Sequence, residues 1–150
     1  MSKTIKTVSN LIDFSTPCVM GVLNLTKDSF FDGGKYISNI QIEKRIKKIY
    51  LEGAKIIDIG ACSSKPGSLP IKEKEEIDKL LKAIKIIKET APNLIISVDT
   101  FRAKVARECI KNGAHIINDI SAGELDSKMF ETIIELNVPY IMMHMKGNPF

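Results

Sequence analysis

The chain has 150 residues, 44% of them apolar and 27% charged, with a formal charge of +4. That is enough for one domain with its own core, in the composition range of soluble globular proteins. No apolar run approaches the roughly 18 residues of a membrane span, and no stacking aromatics interleave the basic stretches, so neither a membrane nor a nucleic acid is expected as a partner.

Elements follow in chain order. Met1 to Asn10 carries lysines but no apolar h-region, which argues against a secretory signal. Val19 to Leu23 reads as a buried strand running into Asn24, and a helix is expected over Ile40 to Leu51, ending before Gly53. Ile56 and Ile57 begin a second strand that meets Asp58. Ile77, Leu80, Leu81, Ile84 and Ile87 fall at helical spacing with Lys and Glu on the other face, and Pro92 stops that helix. The basic residues from Lys72 to Lys88 therefore read as a solvated helix face. A third strand, Ile95 to Val98, meets Asp99. Thr100 is placed to cap a helix over Phe101 to Asn112, which Gly113 ends. Ile116 and Ile117 run into Asn118 and Asp119. Asp126 or Ser127 opens a last helix over Lys128 to Asn137, and Tyr140 to Met143 runs into His144.

Strands that are apolar on both faces and alternate with helices predict a parallel sheet with right-handed crossovers. One internal repeat supports a repeated unit: Glu52-Gly-Ala-Lys-Ile-Ile-Asp58 against Asn112-Gly-Ala-His-Ile-Ile-Asn118. Five strands and four helices make either an open α/β sheet or the first half of a TIM barrel, which needs eight units and about 250 residues. In both, the polar residues that end the strands, Asn24, Asp58, Asp99, Asn118 and His144, collect at the carboxyl edge, where α/β proteins bind ligands. The three cysteines, Cys18, Cys62 and Cys109, match no metal spacing and read as reduced thiols of a cytosolic protein.

Three segments can carry chemistry. Met20 to Gly34 leaves a strand at Asn24, whose neutral oxygen suits a hard cation such as Mg²⁺ in company with waters and phosphates, or else stabilises a turn. Phe30 and Phe31 in that polar loop are core anchors or the cover of an aromatic ligand. Gly60 to Gly67 offers Ser63, Ser64 and Lys65 to an anion, or is an ordinary turn. Asp99 can accept two N–H bonds from a guanidine-like heterocycle edge while Asn118 gives one bond and takes one, the pair that would read a pterin. Equally, Asp99 can cap the next helix and Asn118 tie down a turn. His144 can be a base, a ligand or a packed side chain, whereas His115 opens a strand at the opposite edge and reads as structural. No GxGxxG, Walker A, HExxH or CxxC motif and no nucleophilic triad is visible.

From about Pro17 to Pro149 the chain resembles dihydropteroate synthase, most strongly in Met20 to Tyr36, Gly53 to Gly67, Ile96 to Thr100, Gly113 to Ile120 and Met142 to Pro149. The resemblance implies the N-terminal portion of a pterin-binding (β/α)8 TIM barrel. It implies condensation of 6-hydroxymethyl-7,8-dihydropterin diphosphate with p-aminobenzoate to give 7,8-dihydropteroate and diphosphate in folate synthesis. Through it Asn24 matches the Mg²⁺ and diphosphate residue, Ser64 a pterin-binding Thr, and Asp99 and Asn118 pterin ligands; Phe30 and the Ser63 to Gly67 loop match segments that close over p-aminobenzoate. The sequence departs from the family pattern at Lys27, Phe31, Ala61, Cys62, Ser64 and Lys65; Lys in place of Arg at position 65 keeps charge and loses the planar fork.

The family's further pterin Asp, its Lys and its Arg-x-His anion site find no counterpart up to Phe150. The expectation is thus a half-barrel of weak or no activity alone, pairing with a C-terminal half or with itself. Two alternatives remain at this level: a corrinoid-linked pterin-binding methyltransferase domain, and a non-catalytic half-barrel that needs a partner.

Overall fold

The chain's structure is a computed structural model that describes residues 3–7, 11–26, 38–62 and 71–144. A short antiparallel hairpin, β1 (Thr4–Lys6) and β2 (Leu11–Asp13), comes first. Then β3 (Met20–Asn24), α1 (Asn39–Leu51), β4 (Ile56–Gly60), α2 (Glu73–Thr90), β5 (Ile95–Asp99), α3 (Ala103–Lys111), β6 (Ile116–Asp119), α4 (Met129–Leu136) and β7 (Tyr140–Met142) alternate. The last five strands form one sheet in the order β3-β4-β5-β6-β7, every pair parallel. This is the architecture expected of the first five strands and four helices of a (β/α)8 barrel. The hairpin was not expected, because three-residue strands are too short to leave a period in the sequence.

Alternation along each strand gives the sheet two different faces. Leu23, Ile57, Ile59, Ile96, Val98 and Ile117 pack against Ile42, Ile46 and Ile49 of α1, Leu80, Ala83, Ile84 and Ile87 of α2, and Val105, Ala106 and Cys109 of α3. On the opposite face Ile56, Ile95, Ile116 and Ile141 form a smaller apolar cluster with Ile12 of the hairpin and Cys18. The hairpin thus floors the concave side, and Asp58, Ser97, Asp99 and Asn118 share that face with the cluster. Solvent reaches the inner side of β3, where Val22 is 48% exposed, and the outer side of β7, where Met142 is 62% exposed. Among the described residues β3 pairs only with β4 and β7 only with β6, so the sheet has two open edges. No helix among the described residues is long and apolar enough to cross a membrane.

The internal repeat has a physical basis. Gly53 and Gly113 both adopt positive φ, at 90° and 107°. In each, the residue after the glycine donates its N–H five residues back, Ala54 to Ile49 and Ala114 to Cys109. That is the Schellman closure of a helix. Substituting Ala at Gly113 forces a Cβ into the left-handed region and sets it 3.1 Å from Lys88 Nζ. Gly113→Ala should lower stability by about 1–2 kcal/mol, read as a lower urea midpoint; an unchanged midpoint would refute strain as the reason for this glycine.

Two local expectations need correction. Thr100 does not cap α3: Arg102 stands at the cap position without a side-chain cap bond, and the Ala103 N–H is taken at 2.8 Å by Asp126 Oδ2 from across the fold. Asp126 therefore serves two helices, since its Oδ1 also accepts from Lys128 N at 3.0 Å just before α4. Glu76, read as part of the solvated face of α2, is fully buried. The remaining Lys and Glu of that helix do face solvent, and Leu80, Ile84 and Ile87 are buried as their spacing implied.

Candidate functional site

The register places the expected residues in one transverse row. Asn24 pairs with Gly60, Gly60 with Asp99, Asp99 with Asn118, and Asn118 with Ile141. In-register residues of parallel neighbours share a face, so this row lies on the concave side at the carboxyl end. Gly60 is the gap in it. A Cβ there would stand 3.2 Å from Asp99 Oδ2, so the missing side chain gives the carboxyl its room.

Asp58 sits one layer deeper than the sequence suggested, because β4 continues through Ile59 and Gly60. It is buried, and both of its oxygens are occupied: Oδ1 accepts from Ser97 Oγ at 2.6 Å, and Oδ2 accepts from Asn118 Nδ2 at 3.1 Å. Asn118 is itself buried, and its Oδ1 is shielded from solvent without a hydrogen-bond partner among the described residues. An orphaned buried acceptor costs about 1–3 kcal/mol, and a ligand N–H would remove that cost. Asp119, its neighbour in sequence, points to the other face. It accepts from Ser121 N and Oγ, Gly123 N and Tyr140 Oη, which makes it a fully satisfied anchor of the turn after β6.

Asp99 has the opposite character. Burial pushes its carboxyl up to about 7, and the like charges of Asp58, Glu76 and Asp119 add to the effect. A carboxyl so placed is stabilised by anything that brings N–H donors to it. Strongly shifted groups in concave sites are candidates for function.

Behind this row stands a cluster that the sequence reading missed. Glu76, at the start of α2, pairs with Arg102 and accepts from Thr100 Oγ1 at 2.7 Å. Arg102 also donates to the Ile71 carbonyl at 2.9 Å and lies over the Phe101 ring. Ser97 was missed too. Its signal was present: a lone Ser inside Ile95-Ile96-Ser97-Val98, two residues before Asp99, shares the inward face with it.

Asn24, at the end of β3, is exposed. Among the described residues no group of three His, Cys, Asp or Glu could hold a metal. A single neutral oxygen of this kind does not make a resident metal cage, but it fits a hydrated Mg²⁺ whose other ligands are waters and phosphate oxygens. His144 is exposed just beyond β7, away from the buried layers. His115 is structural as expected, its Nδ1 accepting from Ile96 N at 3.0 Å. Phe30 and Ser64, with Phe31, Ser63 and Lys65, lie outside the described residues.

Residues 20–150 match the family described as pterin binding enzyme. The chain belongs to that family. The pterin-binding enzymes it is most similar to include a folate synthesis bifunctional protein of Arabidopsis thaliana, 47% identical over 143 residues, which are 93% of this chain and 30% of the relative. A dihydropteroate synthase of Streptococcus pyogenes serotype M1 is 40% identical over 126 residues, 84% of this chain and 47% of the relative. Among solved pterin-binding structures, a Xanthomonas albilineans dihydropteroate synthase with 4-aminobenzoic acid aligns with a TM-score of 0.84 at 32% identity, over 98% of this chain and 53% of that one. The chain thus spans about half or less of the length of these relatives.

Proposed function

We propose that this chain supplies the N-terminal half of a dihydropteroate synthase site and binds the pterin through Asp99 and Asn118. The carrying observation is the pair itself: a carboxyl raised by burial beside an Asn whose buried acceptor has no partner among the described residues. Both are satisfied by a ring edge rich in N–H donors, as in an aminopyrimidinone. The reaction is substitution at the pterin methylene carbon. Its C–O bond to diphosphate breaks, a C–N bond to the arylamine of p-aminobenzoate forms, and the amine loses a proton. Chemistry of this kind needs positioning and charge stabilisation more than a strong base, in keeping with a row that holds no nucleophile. Asn24 would hold Mg²⁺ through its carboxamide oxygen, together with waters and diphosphate, and the ion when bound supplies neutralisation of the leaving group's charge. Ser64 and Phe30 are proposed to contact the pterin and the p-aminobenzoate respectively.

The open edges at β3 and β7 support completion of the barrel by further strands, on this polypeptide or a partner. Three free cysteines support a reducing, cytosolic setting. The test is equilibrium binding of 6-hydroxymethylpterin alongside an assay of dihydropteroate formation by the purified chain. Saturable pterin binding with synthase turnover far below that of the full-length S. pyogenes relative is expected. Turnover equal to that relative would overturn the half-site reading, and absence of any pterin binding would overturn the ligand.

Acid should weaken the binding. The bound carboxylate accepts N–H bonds, so below the Asp99 pKa of about 7 a proton must first leave. The pterin dissociation constant should rise by about tenfold per pH unit below that point and level off above it. Calorimetric titrations between pH 5.5 and 8.5 check this; a flat profile would remove Asp99 as the ionised acceptor.

A further inference from the structure

We infer that Asp58 is a positioning residue: anchored by Ser97, it holds the Asn118 amide with Nδ2 turned inward and Oδ1 presented to the ligand, so the site demands a hydrogen-bond donor at that point. The inference rests on the pterin reading above and adds which group sets its polarity.

An Asn side chain offers an acceptor and a donor of nearly equal size, and a simple flip exchanges them. A binding site that relies on Asn must fix this choice. Here the choice is made beneath the ligand. Asp58 Oδ2 accepts from Asn118 Nδ2 at 3.1 Å, and its other oxygen is held by Ser97 Oγ at 2.6 Å. Flipping the amide would set Oδ1 against a carboxylate oxygen, two acceptors face to face, and would lose the bond. All three side chains are buried on adjacent strands: Asp58 on β4, Ser97 beside it on β5, and Asn118 on β6. Water is therefore not on hand to restore the lost partner. The consequence is visible in the solvent-shielded Oδ1 of Asn118, which has no hydrogen-bond partner among the described residues. Asp58 touches no ligand in this scheme and acts only through Asn118. Asp99, the other half of the pair, also accepts, so the two together select a ligand edge made of donors and reject one that carries a carbonyl in their place.

Asp58→Asn tests this at constant volume, since the new amide can either accept from Asn118 or donate to it and no longer enforces one orientation. Two readouts apply to the full 150-residue chain. The first needs no ligand: in the wild type one side-chain amide proton of Asn118, bonded to the carboxylate, should resonate downfield and exchange slowly, and in Asp58→Asn both signs should vanish while the backbone spectrum stays folded. The second compares 6-hydroxymethylpterin with 6-hydroxymethyllumazine, which has a carbonyl where the pterin has its 2-amino donor. The wild type should prefer the pterin, and Asp58→Asn should weaken pterin binding at least tenfold and narrow the preference by a similar factor. Ser97→Ala, which removes the anchor but keeps the carboxylate, should shift both readouts the same way by less, and it serves if Asp58→Asn does not fold. An unchanged Asn118 amide signature in either folded variant, or an unchanged pterin-to-lumazine ratio, would overturn the assignment. If the wild type shows the amide signature but binds neither ring, the pterin reading fails while the positioning by Asp58 stands.

Discussion

Replacing Asp99 with Asn should weaken pterin binding by about 100-fold or more and, at pH 8, leave the unliganded chain more stable than the wild type. The first effect follows from charge. Hydrogen bonds to an ionised acceptor contribute about 1.5–3 kcal/mol each, an amide of the same shape keeps at most one acceptor, and each 1.4 kcal/mol is a factor of ten in affinity. The second follows from linkage. The Asp99 carboxyl is raised from 3.8 to about 7 in the fold, chiefly by burial and then by Asp58, Glu76 and Asp119. Below 3.8 it is neutral in folded and unfolded chains alike. As pH rises toward 7 the unfolded chain ionises first, so stability is lost across that window and is not regained above it. The Asp99→Asn chain has no such loss, and the difference between variant and wild type should close as pH falls toward 4. Urea unfolding at pH 4 and pH 8 with pterin titrations at pH 8 measures both halves. A variant that binds as the wild type does, or one that is less stable at pH 8, would sink this account of Asp99 as a carboxyl held under strain for a donor ligand.

Glu76→Ala should be the most damaging single truncation in the described fold, at about 3–5 kcal/mol. Its carboxylate is fully buried, and the Arg102 side chain it neutralises is only 17% exposed. Removing it strands a guanidinium in a poorly hydrated place and leaves Thr100 Oγ1 without its acceptor. The same guanidinium holds the Ile71 carbonyl, so the start of α2 and the β5–α3 connection loosen together. Set against the roughly 5–15 kcal/mol of a typical domain, this loss leaves little reserve. Glu76→Gln keeps an acceptor for Thr100 and should lose less. Chemical denaturation of both variants decides it: a Glu76→Ala chain within about 1 kcal/mol of the wild type would show the buried pair to be dispensable. Because Glu76 also repels the Asp99 carboxyl, a folded Glu76→Gln should titrate Asp99 at a lower pH, a shift visible in the carboxyl resonance.

Much of this molecule is legible without coordinates because its signals are local. The apolar runs at Ile56, Ile95 and Ile116 can satisfy their backbones and bury both faces only as central parallel strands, and Gly53 and Gly113 announce helix ends because other residues resist positive φ. The family resemblance likewise singled out Asn24, Asp99 and Asn118, and the register sets all three in one row. Local reading failed where partners are distant. Glu76 sits in a run of Lys and Glu and looks solvated, but Arg102, 26 residues later, draws it inward. Thr100 looks like a cap until Asp126 reaches across to take the Ala103 N–H. The hairpin at Thr4–Lys6 and Leu11–Asp13 is too short to show a period, and only its packing against Ile56 and Ile116 makes it a floor.

The sequence by itself thus determined the five parallel strands and the four helices between them, since these depend on neighbours within a turn or two of chain. Tertiary structure alone decided what each polar group faces. Asp58 and Asn118 lie 60 residues apart and Asp58 and Ser97 lie 39 apart, yet hydrogen bonds join both pairs. The polarity of Asn118 and the raised carboxyl of Asp99 arise from that convergence, because burial and charge are properties of the folded surroundings rather than of the residue.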